Sequence, residues 1–144
     1  MSGRQRPVRV YVDMCADLFH AGHVALLARA RAFGDELFAG VMNDADMTAY
    51  KHAPILSMAE RIAVVAACRH VDRVIPDAPT RPTPAFLDAH GIHVVVHGDD
   101  YTQAQVEAYY GAIRRTHRLE IVPYTNGIST TEIVRRIRAR TDLA

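Results

Sequence analysis

No tryptophan occurs in the 144 residues, and Lys51 is the only lysine among 17 basic residues, the other 16 being arginine. Arginine suits bidentate phosphate clamps, whereas lysine is a compact charge on a flexible stem, so a lone lysine in such a background is a candidate functional residue. Cysteine is also scarce. Cys15 and Cys68 stand at neither a metal-ligand nor a redox spacing, which argues against a disulfide framework and for a reducing, cytoplasmic setting. No apolar run approaches the ~18 residues of a membrane span, and no signal-peptide pattern is present, so neither membrane insertion nor secretion is expected. The formal net charge is only +1, which leaves no global steering toward nucleic acid or a membrane surface; any anion site has to be built locally. The length fits a single domain over 1–144 that buries roughly 70% of its unfolded surface, preceded by a flexible, arginine-rich leader at 1–7.

What is present begins with Asp17-Leu18-Phe19-His20-Ala21-Gly22-His23. Val8, Val10 and Val12 alternate before it as in a buried strand. After it, Val24, Leu26, Leu27, Ala30 and Phe33 recur with a helical period. His20 and His23 therefore stand at a strand-to-helix junction on one face of a first helical turn, where unpaired N–H groups and the helix dipole favour an anion. Gly22 offers no Cβ to hinder a phosphate. By itself a His-x-x-His pair is more often a metal-site fragment or an accident than a nucleotide site, but a zinc site completed by Cys15 lacks a fourth ligand of convincing spacing.

The rest of the chain alternates strand and helix. Strands are expected at 8–13, 36–41, 71–75, 92–97 and 119–123. Helices are expected at 22–33, 58–69, 85–90, 103–115 and 131–140. The helix at 58 opens on a capping box, Ser57 with Glu60. Between them, 43–56 reads as a long polar binding loop or lid carrying Lys51, and 77–84, with three prolines, as a structured connector. This pattern predicts an α/β fold: a three-layer sandwich around a central parallel sheet of about five strands. In such sheets ligands collect at the carboxyl ends of strands near a switch in strand order.

At Thr125-Asn126-Gly127-Ile128-Ser129-Thr130-Thr131 a family pattern completes itself. Together with the early Asp-Leu-Phe-His-x-Gly-His, Lys51, Arg69-His70-Val71-Asp72 and His97-Gly98-Asp99-Asp100, it resembles the cytidylyltransferases of the His-x-Gly-His nucleotidyltransferase superfamily. The resemblance covers roughly residues 8 to 138. It implies a Rossmann-like fold, a homodimer through the Arg69–Asp72 region, and attack by a small phosphate or phosphonate on the α-phosphorus of CTP with release of pyrophosphate.

The resemblance also implies roles. His20, His23 and Lys51 would be catalytic, the histidines as donors to phosphate and Lys51 as a bridge between two anions. Cys15, Ala16, Asp17, Gly22, His97, Gly98, Asp100, Tyr124, Thr125, Gly127, Ile128, Ser129 and Thr130 would bind nucleotide. Asp17, Lys51, Arg81 and Tyr101 would meet the acceptor. Mg²⁺ would ride on the triphosphate, with no protein metal site. Two departures stand out: Met14-Cys15-Ala16 replaces a glycine-led turn, and Tyr124 replaces an arginine, for which Arg81 or Arg115 would have to substitute. The absence of tryptophan disfavours a choline-type acceptor, because a quaternary ammonium needs aromatic faces; glycerol 3-phosphate, phosphoethanolamine and small phosphonates remain equal. An ATP-dependent relative of the same superfamily and a catalytically silent nucleotide-binding regulator are the alternatives.

Overall fold

A computed structural model describes residue 3 and residues 5–143. Of the expected leader, residues 1, 2 and 4 lie outside the described residues, and its other positions have no regular structure. The elements run β1 (Arg9–Met14), α1 (Ala21–Arg31), β2 (Glu36–Met42), α2 (Asp44–Tyr50), α3 (Met58–Ala66), β3 (Arg73–Ala78), α4 (Pro84–Ala89), β4 (Val94–Gly98), α5 (Gln103–Arg115), β5 (Leu119–Val122) and α6 (Thr130–Ala139).

The five strands form one sheet in the order β3-β2-β1-β4-β5, and every pairing is parallel. The expected α/β, Rossmann-like sandwich is therefore observed. Alternation along β1 builds the two cores. Val10, Val12 and Met14 face one cluster with Leu27 and Ala30 of α1 and Val65 of α3. Tyr11 faces the other, with Leu87 of α4 and Tyr110 and Ile113 of α5. The chain thus leaves β1 toward one face of the sheet and leaves β4 toward the other, and the strand order reverses between them. That divergence opens a crevice at the carboxyl ends of β1 and β4.

Two expectations are corrected. The polar stretch 43–56 contains a helix, α2, rather than a continuous loop. Asn43 caps it by accepting from the Asp46 N–H at 2.7 Å, Asp44 and Asp46 favour its first turn, and Met47 buries beneath it. The third strand runs through Pro76 to Ala78 instead of stopping at Ile75. It can do so because β3 is an edge strand, where a missing N–H breaks no ladder, and because the register shifts opposite it between Gly40 and Met42. Remaining boundaries differ only by frayed ends.

Candidate active site

Past Met14 the backbone turns through two left-handed residues, Ala16 at φ 57° and Leu18 at φ 49°. Neither is glycine, so each costs about 1–2 kcal/mol, and the turn persists because its surroundings hold it. Asp17, only 1% exposed, supplies that hold: its carboxylate accepts from the N–H groups of Ile55 at 2.9 Å and Leu56 at 3.0 Å. Its carbonyl accepts from the Thr130 hydroxyl at 2.8 Å. Asp17 therefore ties the start of α1, the approach to α3 and the start of α6 into one knot. Asp17 also lines the cleft, and each of its oxygens keeps a lone pair beyond the one that serves the 55–56 backbone. Met14, where the family pattern has glycine, keeps strand geometry and packs into the core.

The imidazoles are oriented by backbone. His20 is the N-cap of α1 and its Nδ1 accepts from the Gly22 N–H at 3.0 Å; the Nδ1 of His23 accepts from the His20 N–H at 3.1 Å. An amide can only donate, so both Nδ1 atoms are unprotonated and each ring carries its proton on Nε2. The two rings lie 3.9 Å apart between centroids, and His23 stacks on Phe19 at 5.2 Å. Burial, with the positive potential of His20 and Lys51 added, holds His23 down at about 3; burial lowers His20 as well. Both are neutral Nε2–H donors at physiological pH. Gly22 is required for a further reason. A Cβ there would come within 2.8 Å of the His20 ring and 3.3 Å of Ile128, so the glycine admits the capping imidazole itself.

Lys51 sits at the end of a helix, not in mid-loop: it is the C-cap of α2, and its Nζ lies 5.1 Å from the centre of the Tyr50 ring. The helix is anchored by Arg61, which is fully buried. Arg61 donates to the carbonyls of Cys15 at 2.7 Å and Met42 at 2.9 Å and pairs with Asp44, fastening the ends of β1 and β2 to α2. Cys15 contacts the Met42 sulfur at 3.7 Å.

At the far end of the chain, Ser129 caps α6 by accepting from the Glu132 N–H at 3.0 Å. The tie from Thr130 to Asp17 sets that helix start beside the histidines. Asp99 accepts from the Tyr124 N–H at 2.7 Å. His97 has the opposite tautomer to the early pair, since its Nδ1 must donate to the Gly98 carbonyl at 2.7 Å.

These groups enclose a single cleft of about 380 Å³. Cys15, His20, Gly22, His23 and Lys51 line it from the early half of the chain, with Asp17 beneath. His97, Gly98, Asp100, Tyr101, Tyr124, Thr125, Ser129 and Thr130 line it from the late half. Four expected residues stand apart. Ala16 is fully buried in the core; Ile128 packs on Gly22; Gly127, at φ 88°, is exposed in the turn before α6. Arg81 lies outside, 5.4 Å from the centre of the Tyr109 ring. Arg115 pairs with Glu107 on its own helix, so neither proposed substitute for the family arginine reaches the cleft. Among the described residues Lys51 is the one lysine or arginine lining it, and no group of three or more His, Cys, Asp or Glu is placed to hold a metal ion.

The cleft also contains a buried carboxylate that no sequence motif singles out. Asp13, at 4% exposure, accepts from the Tyr110 hydroxyl at 2.6 Å through Oδ1, while its buried Oδ2 has no partner. Burial raises its pKa, against the opposing pull of the Tyr110 bond and His97. Tyr101 and Tyr110 flank the His97 ring at 4.3 and 5.0 Å, and Tyr50 shares a hydroxyl hydrogen bond with Tyr101. The available signal was a lone carboxylate inside the apolar strand Val10-Tyr11-Val12-Asp13-Met14, where burial without a purpose is costly.

The described residues include no helix long and apolar enough to cross a membrane. The cytidylyltransferase-like family model matches residues 11–136. The chain is 37% identical over 139 residues to an ethanolamine-phosphate cytidylyltransferase of Arabidopsis thaliana, covering 93% of this chain and 33% of that protein. It is 38% identical over 136 residues to choline-phosphate cytidylyltransferase A of Homo sapiens, covering 92% of this chain and 37% of that one. It thus spans about a third of the length of these curated relatives. Among solved structures, a lipopolysaccharide core biosynthesis protein from Thermoplasma volcanium GSS1 shares the fold at a TM-score of 0.67 and 21% identity, over 85% of this chain and all of that one. With the histidine pair, the lysine and the late hydroxyl helix drawn into one cleft, and the family match spanning every strand of the sheet, this chain belongs to the cytidylyltransferase-like family.

Proposed function

We propose that the protein transfers CMP from CTP to a small phosphate or phosphonate that bears a primary ammonium, releasing pyrophosphate. The carrying observation is Asp13: a buried carboxylate oxygen without a partner, in a cleft walled by Tyr50, Tyr101 and Tyr110. An unsatisfied buried acceptor calls for a hydrogen-bond donor, and a carboxylate favours a cationic one. A primary ammonium has one, a quaternary ammonium has none, and a glycerol hydroxyl brings no positive charge. Ethanolamine phosphate and its phosphonate analogue share the ammonium and the anionic head, and the similarity to ethanolamine-phosphate cytidylyltransferases supports this choice.

The chemistry is in-line attack by the acceptor's phosphate oxygen on the α-phosphorus, with no covalent enzyme intermediate. His20 and His23 donate Nε2–H bonds to phosphate oxygens as charge builds, in directions set by the amides at their Nδ1 atoms. Lys51 sits between the two anions and offsets their repulsion. The first-turn N–H groups of α6 and the hydroxyl of Thr131 receive the leaving pyrophosphate. Mg²⁺ fits as an ion carried by the triphosphate, where it would neutralise charge on the phosphate oxygens, because the nearby Nδ1 atoms and the Asp17 oxygens are already engaged by backbone. A homodimer through Arg69–Asp72 belongs to the same proposal, and sedimentation equilibrium tests it.

The deciding experiment is turnover of CTP, and separately ATP, with ethanolamine phosphate, 2-aminoethylphosphonate, choline phosphate and glycerol 3-phosphate, with mass detection of the adduct. The primary amines should react fastest with CTP. Asp13→Asn should raise the KM for them about tenfold, consistent with loss of a charge-assisted bond, and leave CTP binding unchanged. Preference for glycerol 3-phosphate, or for ATP, overturns the reading.

A further inference from the structure

Helix α2 has seven residues, too few to stand alone, and it carries the only lysine of the chain at its end. Its start is fastened by Arg61 to Asp44 and its middle by Met47, its one buried residue. The end that bears Lys51 is held by Tyr50. That ring meets Tyr109 edge-on at 5.3 Å and 82°, and its hydroxyl is hydrogen-bonded to the Tyr101 hydroxyl, 51 residues along the chain. Tyr101 in turn packs on Tyr109 at 5.7 Å and on His97 at 4.3 Å. Arg81 covers Tyr109 at 5.4 Å, so the wall that receives Tyr50 is itself braced.

We propose that Tyr50 is a positioning residue that docks the end of α2 on the Tyr101–Tyr109 wall and thereby couples occupancy of the acceptor pocket to the placement of Lys51. In the shared bond one hydroxyl donates and the other keeps a free proton, so a ligand that engages Tyr101 also resets the bond to Tyr50. Tyr50 is covalently next to Lys51 and its ring lies beneath the ammonium, so the lysine follows. The acceptor wall and the bridging cation then form one mechanical unit. This coupling rests on the acceptor assignment above, but its first test does not need turnover.

Reductive ¹³C-dimethylation labels one lysine side chain in this protein besides the terminal amine. Tyr101 is not in ring contact with the Lys51 ammonium, whereas Tyr50 is. Tyr50→Phe and Tyr101→Phe, each of which removes the shared hydroxyl bond and keeps the ring, should shift and broaden the Lys51 methyl resonance in the same sense. Each should lower kcat/KM for ethanolamine phosphate about 3- to 10-fold, as for loss of one hydrogen bond, and the double variant should lose no more than either single. A tyrosine that only stabilises the fold would depress the melting temperature and leave the Lys51 resonance in place. An unmoved resonance in Tyr101→Phe, or single losses that multiply in the double variant, overturns the proposal. Absence of any CTP turnover in the unmodified protein would fell the acceptor assignment, and the resonance would still decide the coupling.

Discussion

The histidine part of the cleft and the tyrosine part are built over different distances in the chain. His20 and His23 lie three residues apart and each is oriented by an amide of the same helical turn. Asp13 and Tyr110 meet across 97 residues, and Tyr50 and Tyr101 across 51. The first part is a local motif whose protonation state the backbone sets. The second exists only because β1, α2, β4 and α5 converge where the strand order reverses. Local construction suits groups that must donate in a fixed direction during every turnover. Assembly from four elements suits a pocket that chooses a partner by shape and charge.

The comparison breaks most severely at His23. His23→Ala should lower kcat by about 10²-fold or more while CTP still binds, measured by pyrophosphate release and calorimetry. An unchanged kcat would remove the histidine part from the chemistry. Asp17→Asn, which turns an amide against one of the two N–H groups of Ile55 and Leu56, should cost about 2–3 kcal/mol of stability, read as a lower urea midpoint. It should impair turnover as well, since one knot holds the starts of α1 and α6.

Acid sharpens the contrast with opposite signs. His23 is held below the unfolded imidazole value of ~6.5, at about 3. The unfolded chain therefore takes the proton first, and stability falls as pH drops from ~6.5 toward about 3. Asp13 is raised by burial, so the folded state takes that proton first, and stability rises as pH falls through its raised value toward the ordinary ~3.9. Urea midpoints between pH 4 and 8 should show His23→Asn removing a loss on acidification and Asp13→Asn removing a gain. The same logic predicts no inflection from His23 near pH 6.5 in kcat, because that imidazole is held neutral down to about 3.

Much of the fold and the site is legible in the sequence. The alternation in Val8–Val12 and the Ser57–Glu60 capping box are local signals, and the sheet follows from strands and helices taking turns. The histidine pair, Lys51 and the Ser129–Thr130 cluster were likewise visible as motifs. What the sequence left open were the contacts. Asp17 reads in the motif as a residue that orders the loop, meets ligand or caps a helix, and the fold gives its carboxylate the 55–56 amides to hold. Arg81 reads as an acceptor contact, yet it covers the outside of Tyr109. Asp13 reads as an interruption in a strand, yet it is the one buried carboxylate in the cleft with an oxygen to give.

By itself, then, the sequence determined the alternation of strands with helices, the parallel sheet and the family, because periodicity, capping and motif spacing act over a few residues. Only the tertiary structure decided that Asp13 brings an unpaired buried oxygen to the cleft, that α2 carries Lys51, and that Tyr50 joins it to Tyr101. Those outcomes depend on the direction of side chains brought together from distant elements, and no local pattern encodes a direction in three dimensions.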